Sequence, residues 1–478
     1  MLETTNNKEM GKNRPVVFLV ALSIIVAAVA MFACPSPSIA AEPQILPEDT
    51  VGGMAVTDAR IASPSIMAPR AIAVNDAGEI LFARNADEEC KIASVTKVMT
   101  SIVACEYDPT LSAEIRVSEI ADATPGSSSN ALAGDTLTLG EALEGIMLPS
   151  GNDMATAVAE SIGRDMLVDE GAVPTTIADA DGERRFVEAM NAKASELGMD
   201  HTLFVNACGL DDEQYEDNHH STASDVAKMA SYAMSFEPIR NVVCQSSSEM
   251  TVSRDGAPVD IHQDNTNRLL HDDRFNGVKT GFTDYAGSCL AASYTSSADM
   301  DGDGENDEIY VVVLGEDSSN DMYADVSAIA DWETQARTTV DLSGGANGAE
   351  VGRCVHPEWQ CRDFAVTSDG NARNVVMYSW EFANMSQRTE FQDIAGDIYA
   401  GDEVGAIVFE YDGEEVGRVP LVAMEGMEAP GFIDRIILFG KGIWYSITGQ
   451  DMSDGHASHA ALMPMVVNDD TKDDMPSD

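Results

Sequence analysis

Positive charge is what this chain has least of. Twenty-eight Lys and Arg stand against 81 Asp and Glu in 478 residues, a formal net charge of −53. Phosphate backbones need a basic surface, so nucleic acid is excluded as a partner. The imbalance keeps the chain soluble and repels anionic surfaces at long range, as salt-adapted proteins do, without pointing to a specific cationic partner. There is no Cys-x-x-Cys pair and no His cluster among eight Cys and eight His, so no zinc site and no other metal or cofactor is expected.

A long apolar run occurs at the start. Val16 to Phe32 is apolar apart from Ser23. Lys8, Lys12 and Arg14 precede it, and Ser38-Ile39-Ala40-Ala41 follows with small residues suited to cleavage. Residues 1–41 are therefore read as a signal peptide, cut near Ala41/Glu42, although the run is nearly long enough to stay as an anchor. Cys34 fits a lipoprotein pattern poorly, given Met31 and Phe32 before it. Export places the seven remaining cysteines in an oxidising compartment. Cys354 and Cys361 bracket a short loop and are the best local disulfide pair, and Cys208 with Cys244 is a weaker one. The odd count leaves at least one thiol over, and some are simply small buried hydrophobes.

A chain of this length holds two to three domains. Residues 42–68 are read as a linker and 69–343 as an α+β domain with a largely antiparallel sheet. Its expected hairpin joins Arg70–Val74 to Glu79–Phe82 through Asn75-Asp76-Ala77-Gly78. Helices are expected over Ser94–Glu106, from Leu137 onward with Thr138 as N-cap and Glu141 completing a capping box, and over Asp153–Ile162, Phe186–Leu197 and Ser224–Met234. Residues 277–281, 288–293 and 309–314 read as strands, and Asp- and Ala-rich 165–185 as an inserted loop. Turn residues and short alternating runs over 344–428 indicate a small all-β domain. Within 430–449, Phe432, Ile433, Ile436, Ile437, Phe439, Ile443, Trp444 and Ile447 share one helical face. That is the pattern of an amphipathic helix for a membrane interface, the alternative being packing against the β domain. Residues 450–478 read as an acidic disordered tail.

Three short motifs carry chemistry. Ser94-Val95-Thr96-Lys97 puts a hydroxyl and an amine three residues apart, on one helical face. A serine needs a base to become a nucleophile, and a lysine can be that base if burial or a nearby cation lowers its pKa. Lys279 could supply such a cation. Ser150-Gly151-Asn152 sits in a turn between two helices, where the hydroxyl could relay a proton and the amide could bind a peptide carbonyl and the lysine. Taken alone, either residue could equally be an N-cap. Lys279-Thr280-Gly281 lies in a strand, where the ammonium and hydroxyl could hold a carboxylate and Gly281 could admit a substrate backbone. The N–H of Phe282 could pair with that of Ser94 as an oxyanion hole. Each motif alone is weak. Together they suit an acyl-serine enzyme acting on peptides with a free C-terminus.

In this order the motifs resemble those of the penicillin-binding protein and serine β-lactamase superfamily. Pro149-Ser150-Gly151-Asn152-Asp153 resembles the low-molecular-mass serine D-alanyl-D-alanine carboxypeptidases in particular. So do Ala86-Asp87-Glu88, Met190-Asn191-Ala192-Lys193 with Leu197-Gly198-Met199, His220-Ser221-Thr222-Ala223-Ser224-Asp225, Asn267-Arg268-Leu269-Leu270 and Gly277-Val278-Lys279-Thr280-Gly281-Phe282-Thr283. The resemblance is strong over residues 68–315. It implies a β-lactamase/transpeptidase-like fold followed by a small β domain and an amphipathic helix. It implies Ser94 as the acylated residue, Lys97 as general base, Ser150 as proton relay, Asn152 as substrate and lysine positioner, and Lys279 with Thr280 as carboxylate clamp. The implied partners are peptidoglycan pentapeptide stems, β-lactams and, through 430–449, the outer face of the cytoplasmic membrane. Phe282 departs from the histidine frequent at that place, so only its backbone role carries over.

A β-lactamase would want a Glu-x-x-Leu-Asn element, and Glu188 with Asn191 has the wrong spacing for one. A non-catalytic cell-wall-binding scaffold is the reading from another class. Asp299 to Asp307 resembles a calcium loop, but Tyr310 stands where a bidentate Glu is required.

Overall fold

The computed structural model describes residues 49–55, 63–211, 218–297, 306–346, 348–449 and 456–467. The expected signal peptide and most of the calcium-like loop lie outside the described residues. The described residues belong to one compact unit beginning at Asp49.

The central sheet has seven antiparallel strands. The first four are β1 (Thr50–Val51), β2 (Met54–Ala55), β3 (Arg70–Asn75) and β4 (Ile80–Arg84). β3 and β4 form the expected hairpin. Its turn closes through a Gly78 N–H to Asn75 carbonyl bond of 3.0 Å and a Glu79 N–H to Asn75 Oδ1 bond of 2.8 Å. Thr50 and Val51 pair with Ala83 and Phe82, so part of the stretch read as linker is an added strand. Arg84 holds it there, donating to both carboxylate oxygens of Asp49 at 2.6 and 3.0 Å.

A 3₁₀ turn over Ala93–Thr96 leads into α1 (Lys97–Tyr107). A second sheet follows, in spatial order β5 (Glu114–Arg116), β6 (Thr136–Thr138), β7 (Ser247–Arg254), β8 (Ala257–Asp264). The longer intervening helices are α2 (Leu139–Met147), α3 (Asn152–Asp169), α4 (Asp179–Glu196) and α5 (Ala223–Met234). Thr138 does cap α2, its Oγ1 accepting from Glu141 N at 3.3 Å. The carboxylate of Glu141 turns away to accept from Thr251 N at 2.7 Å, so it serves tertiary packing and not the reciprocal half of a capping box. Residues 165–185 are mostly not a loop. They finish α3 and begin α4, and only 170–178 connect the two.

β9 (Phe275–Thr283), β10 (Gly287–Thr295) and β11 (Glu308–Glu316) complete the central sheet, in order β2-β1-β4-β3-β11-β10-β9. β11 lies between β3 and β10 and is buried on both faces, which is why it reads as an unbroken apolar run. Successive side chains alternate between two cores. Ile72, Val312, Leu314 and Ala291 pack with the helices α1 to α5, while Ala71, Val311, Val313 and Leu290 pack with α6 (Ser319–Ala336). β9 is left as the outer strand, its free edge toward the 3₁₀ turn that carries Ser94.

α6 runs straight into β12 (Arg337–Asp341) of a β-rich region with its own core. That region contains β13 (Gly352–Val355), β14 (Asp363–Ser368), β15 (Asn374–Tyr378), β16 (Ser386–Phe391), β17 (Glu403–Tyr411) and β18 (Glu414–Ala423). Buried Glu333 ties it to the central sheet, accepting from Tyr378 Oη at 2.8 Å and Tyr294 Oη at 3.2 Å. α7 (Phe432–Thr448) then stands off the surface with no buried residue. Its root is fixed by an Arg435–Glu358 ion pair at 2.6 Å. β19 (His459–Ala460) and β20 (Met465–Val466) return to pair with β13 and β12, so the expected acidic tail contains strand. Ala460 and Leu462 explain this, since they join the core.

The seven described cysteines are all free thiols. Neither expected disulfide is present: Cys354 is buried on β13, and Cys208 is buried whereas Cys244 is exposed.

Candidate active site

Ser94 lies in the 3₁₀ turn, just after Ala93, whose φ of +47° is unfavourable for a residue with a Cβ. The expected i, i+3 relation holds, with Lys97 Nζ 2.8 Å from Ser94 Oγ. Lys97 is fully buried. Its nitrogen also meets Asn152 Oδ1 at 2.6 Å and the Cys208 carbonyl oxygen at 2.7 Å. Those two oxygens can only accept. A neutral amine therefore spends both N–H groups on them and turns its lone pair to the Ser94 hydroxyl. Burial pushes the Lys97 pKa down to about 8, against the pull of Cys208 and Asp153. The free amine therefore predominates above about pH 8, well below the pH at which an ordinary lysine releases its proton.

Ser150 and Asn152 sit where α2 gives way to α3. Gly151 is the N-cap and no side chain caps the helix, so capping is not what these residues do. The Asn152 amide is spanned instead, its oxygen to Lys97 and its Nδ2 to the Pro125 carbonyl at 2.6 Å. Ser150 is buried with φ +65°, a conformation imposed by the turn. Asp153 is buried behind them and accepts from Ser129 N at 2.9 Å and Ser128 Oγ at 2.7 Å, which pins the preceding loop against the helix start.

Lys279 and Thr280 come from β9. Lys279 is buried, and burial followed by the charge of Lys97 holds its pKa well below the usual lysine range. Its Nζ donates to the Thr280 carbonyl at 3.0 Å, and the Thr280 hydroxyl shares a 2.7 Å bond with that of Thr266. Gly281 plays a different part from the one expected. A Cβ there would lie 2.9 Å from both Ser94 N and Ile92 O. The glycine admits the nucleophile's own segment to the sheet edge, where a substrate backbone was expected. The Phe282 side chain is 64% exposed, leaving its backbone N–H as the candidate participant.

The sequence reading missed the supports. Buried His219 is neutral, its pKa pushed down to about 3 by burial and by nearby Lys91, His220 and Lys97. Val205 N–H donates to its Nδ1 at 3.3 Å, so the ring proton sits on Nε2. That nitrogen donates to Thr96 Oγ1 at 2.7 Å, and Thr96 in turn donates to the Ala93 carbonyl at 2.8 Å. The chain of bonds braces the strained turn around Ser94. His219 neighbours the quoted His220-Ser221-Thr222 stretch, but nothing in the sequence marks which histidine turns inward. Glu188 is exposed on α4, which leaves the β-lactamase-type second base without a residue there.

The D-alanyl-D-alanine carboxypeptidase family model matches residues 57–168 and 170–317, more than half of the chain. The carboxypeptidase DacF of Bacillus subtilis is 28% identical over 75% of this chain and 85% of its own length. DacC of Escherichia coli is 28% identical over 79% and 88%. The crystal structure of the Streptomyces K15 DD-transpeptidase superposes with a TM-score of 0.50 at 27% identity, covering 57% of this chain and 98% of that one. DacD of Francisella tularensis shares the fold over 77% of this chain and 96% of its own, with a TM-score of 0.50 at 24% identity. With Lys97 bonded to both Ser94 and Asn152 and the family model matched across all three motifs, the chain belongs to the serine-type D-alanyl-D-alanine carboxypeptidases.

Proposed function

We propose that the chain removes the terminal D-alanine from peptidoglycan stem peptides through an ester on Ser94. The observation that carries the residue roles is the threefold environment of Lys97 Nζ, two carbonyl-type acceptors and one hydroxyl. Lys97 takes the proton of Ser94 as its Oγ attacks the penultimate D-alanine carbonyl. The N–H groups of Ser94 and Phe282 receive the developing oxyanion. Ser150 passes the proton to the departing amine, the C–N bond breaks, and free D-alanine leaves. Water, deprotonated through Lys97, then hydrolyses the ester and restores Ser94.

Lys279 and Thr280 hold the terminal carboxylate, and Asn152 binds the peptide carbonyl. An arriving carboxylate favours the charged form of Lys279. β-Lactams offer the same carboxylate and a reactive carbonyl, and would trap Ser94. Export through residues 1–41 and docking of the 430–449 helix at the outer face of the cytoplasmic membrane would bring the site to its polymer.

The test is intact mass of the protein after fluorescent penicillin, beside Ser94→Ala, with D-alanine release from a diacyl-D-Ala-D-Ala peptide followed in the same samples. A Ser94-dependent adduct with D-alanine release is expected. An adduct without release would mean that Ser94 is acylated by the lactam but does not accept the diacyl peptide as substrate. Rapid penicillin turnover would favour a β-lactamase, and neither adduct nor release would leave only the scaffold.

A further inference from the structure

We infer that Asn206 is a positioning residue for the proton-accepting amine: its side chain folds the Asn206–Leu210 turn so that the Cys208 carbonyl takes one N–H of Lys97. The inference rests on the reading of Lys97 as base to Ser94. Asn206 is buried and uses both ends of its amide. Its Oδ1 accepts from Gly209 N at 2.7 Å and Cys208 N at 3.1 Å, and its Nδ2 donates to the Leu210 carbonyl at 2.7 Å. These bonds close a tight turn in which Gly209 takes φ +88°.

The turn meets the nucleophile's segment at three places. Cys208 O reaches Lys97 Nζ at 2.7 Å, and Ala207 O accepts from Thr100 Oγ1 at 2.6 Å. Gly209 lies so close to Ala93 that an added Cβ would sit 1.9 Å from the Ala93 carbonyl oxygen. One side chain therefore sets both the backbone before Ser94 and one of the two acceptors that aim the amine. Without the Cys208 acceptor, a neutral Lys97 would have an N–H free to compete for Ser94 Oγ, and its lone pair would no longer be directed there. The backbone oxygen has no side chain to replace, so its holder is the place to test.

The purified protein would be acylated with fluorescent penicillin from pH 6 to 10, separating the dissociation constant of the first complex from the acylation rate. Asn206→Ala is expected to lower the rate on the alkaline plateau about tenfold or more, with the first dissociation constant changed less than about twofold. Asn206→Asp keeps both acceptor bonds, while its second oxygen replaces the donor to the Leu210 carbonyl. Its negative charge near Lys97 favours the ammonium, so the acid limb should move up by about one pH unit, with the plateau restored in part, since the bond to the Leu210 carbonyl is lost. An Asp variant with the parent's pH profile overturns the inference, as does an Ala variant that acylates at the parent's rate. If Asn206→Ala does not fold, the Asp profile decides alone. Ser94→Ala runs in parallel. Labelling that persists there would sink the underlying reading, whereas its loss beside parent-like Asn206 variants sinks only this one.

Discussion

A lysine that serves as a base must be uncharged when substrate arrives, and a lysine that holds a carboxylate must be charged. Lys97 and Lys279 stand near one another under these opposite demands, and both are buried. For Lys97 the sign is direct. Burial lowers its pKa to about 8, so below that pH the ammonium predominates and no lone pair is available. Acylation of Ser94 should rise about tenfold per pH unit up to pH 8 and level off above it. Stopped-flow penicillin labelling across this range checks it, and a flat profile from pH 6 to 9 would remove Lys97 from the role. Stability follows the same linkage. The unfolded chain holds the Lys97 proton up to its ordinary pKa and the folded chain releases it earlier, so this residue's contribution to stability rises with pH between about 8 and 10.5. The motif residues were legible because their chemistry is written in side chains at local spacing. Cys208 O was not, since it is a backbone atom 111 positions from its partner and any residue could supply it.

Among elements, α3 and α4 meet with no room for a side chain between them. A Cβ on Gly163 would lie 1.9 Å from the Gly182 carbonyl oxygen, and one on Gly182 would lie 2.3 Å from the Glu160 carbonyl oxygen. The two helices meet backbone to backbone, and no side chain can swing aside to make room. Gly163→Ala should destabilise the fold by about 2–3 kcal/mol or more, read as a lower midpoint in urea with unchanged slope. A shift under about 0.5 kcal/mol would mean that the helices separate freely. The same pair shows why 165–185 was misread as an inserted loop. Gly171, Gly182 and scattered Asp suggest irregular chain, but the helices win by burying Phe186 and Ile162 across the glycine crossing. The β7–β8 hairpin was missed for the opposite reason. Its strands are half-exposed and polar, with little apolar alternation, and only the Asp255-Gly256 turn signals them. The central strand β11 was legible because burial on both faces demands an unbroken apolar run.

On the scale of the whole molecule, the −53 charge and the bare apolar helix pull in different directions. α7 carries Asp434, Arg435 and Lys441, two cations and one anion, and Arg435 is already paired with Glu358. It has no basic stripe with which to attract anionic lipid. What it presents is Phe432, Phe439 and Ile447, each at least 72% exposed, with Trp444 beside them. The β-rich region holds it at its root and takes the chain back at β19, so the helix is presented on a rigid base. No helix among the described residues is long and apolar enough to cross a membrane. If α7 docks by apolar burial, the acidic body must approach an anionic surface against its own charge, and that repulsion is screened over about 10 Å at 0.1 M salt. Binding to anionic vesicles by protein beginning at Glu42 should therefore strengthen from 20 mM to 300 mM salt, the reverse of a polybasic anchor. Zwitterionic vesicles should show little change. Phe439→Glu with Trp444→Glu should abolish co-sedimentation with both and leave penicillin labelling intact, because neither residue is buried or near Ser94. Binding that weakens as salt rises would assign the attraction to charge and take the docking role away from this helix.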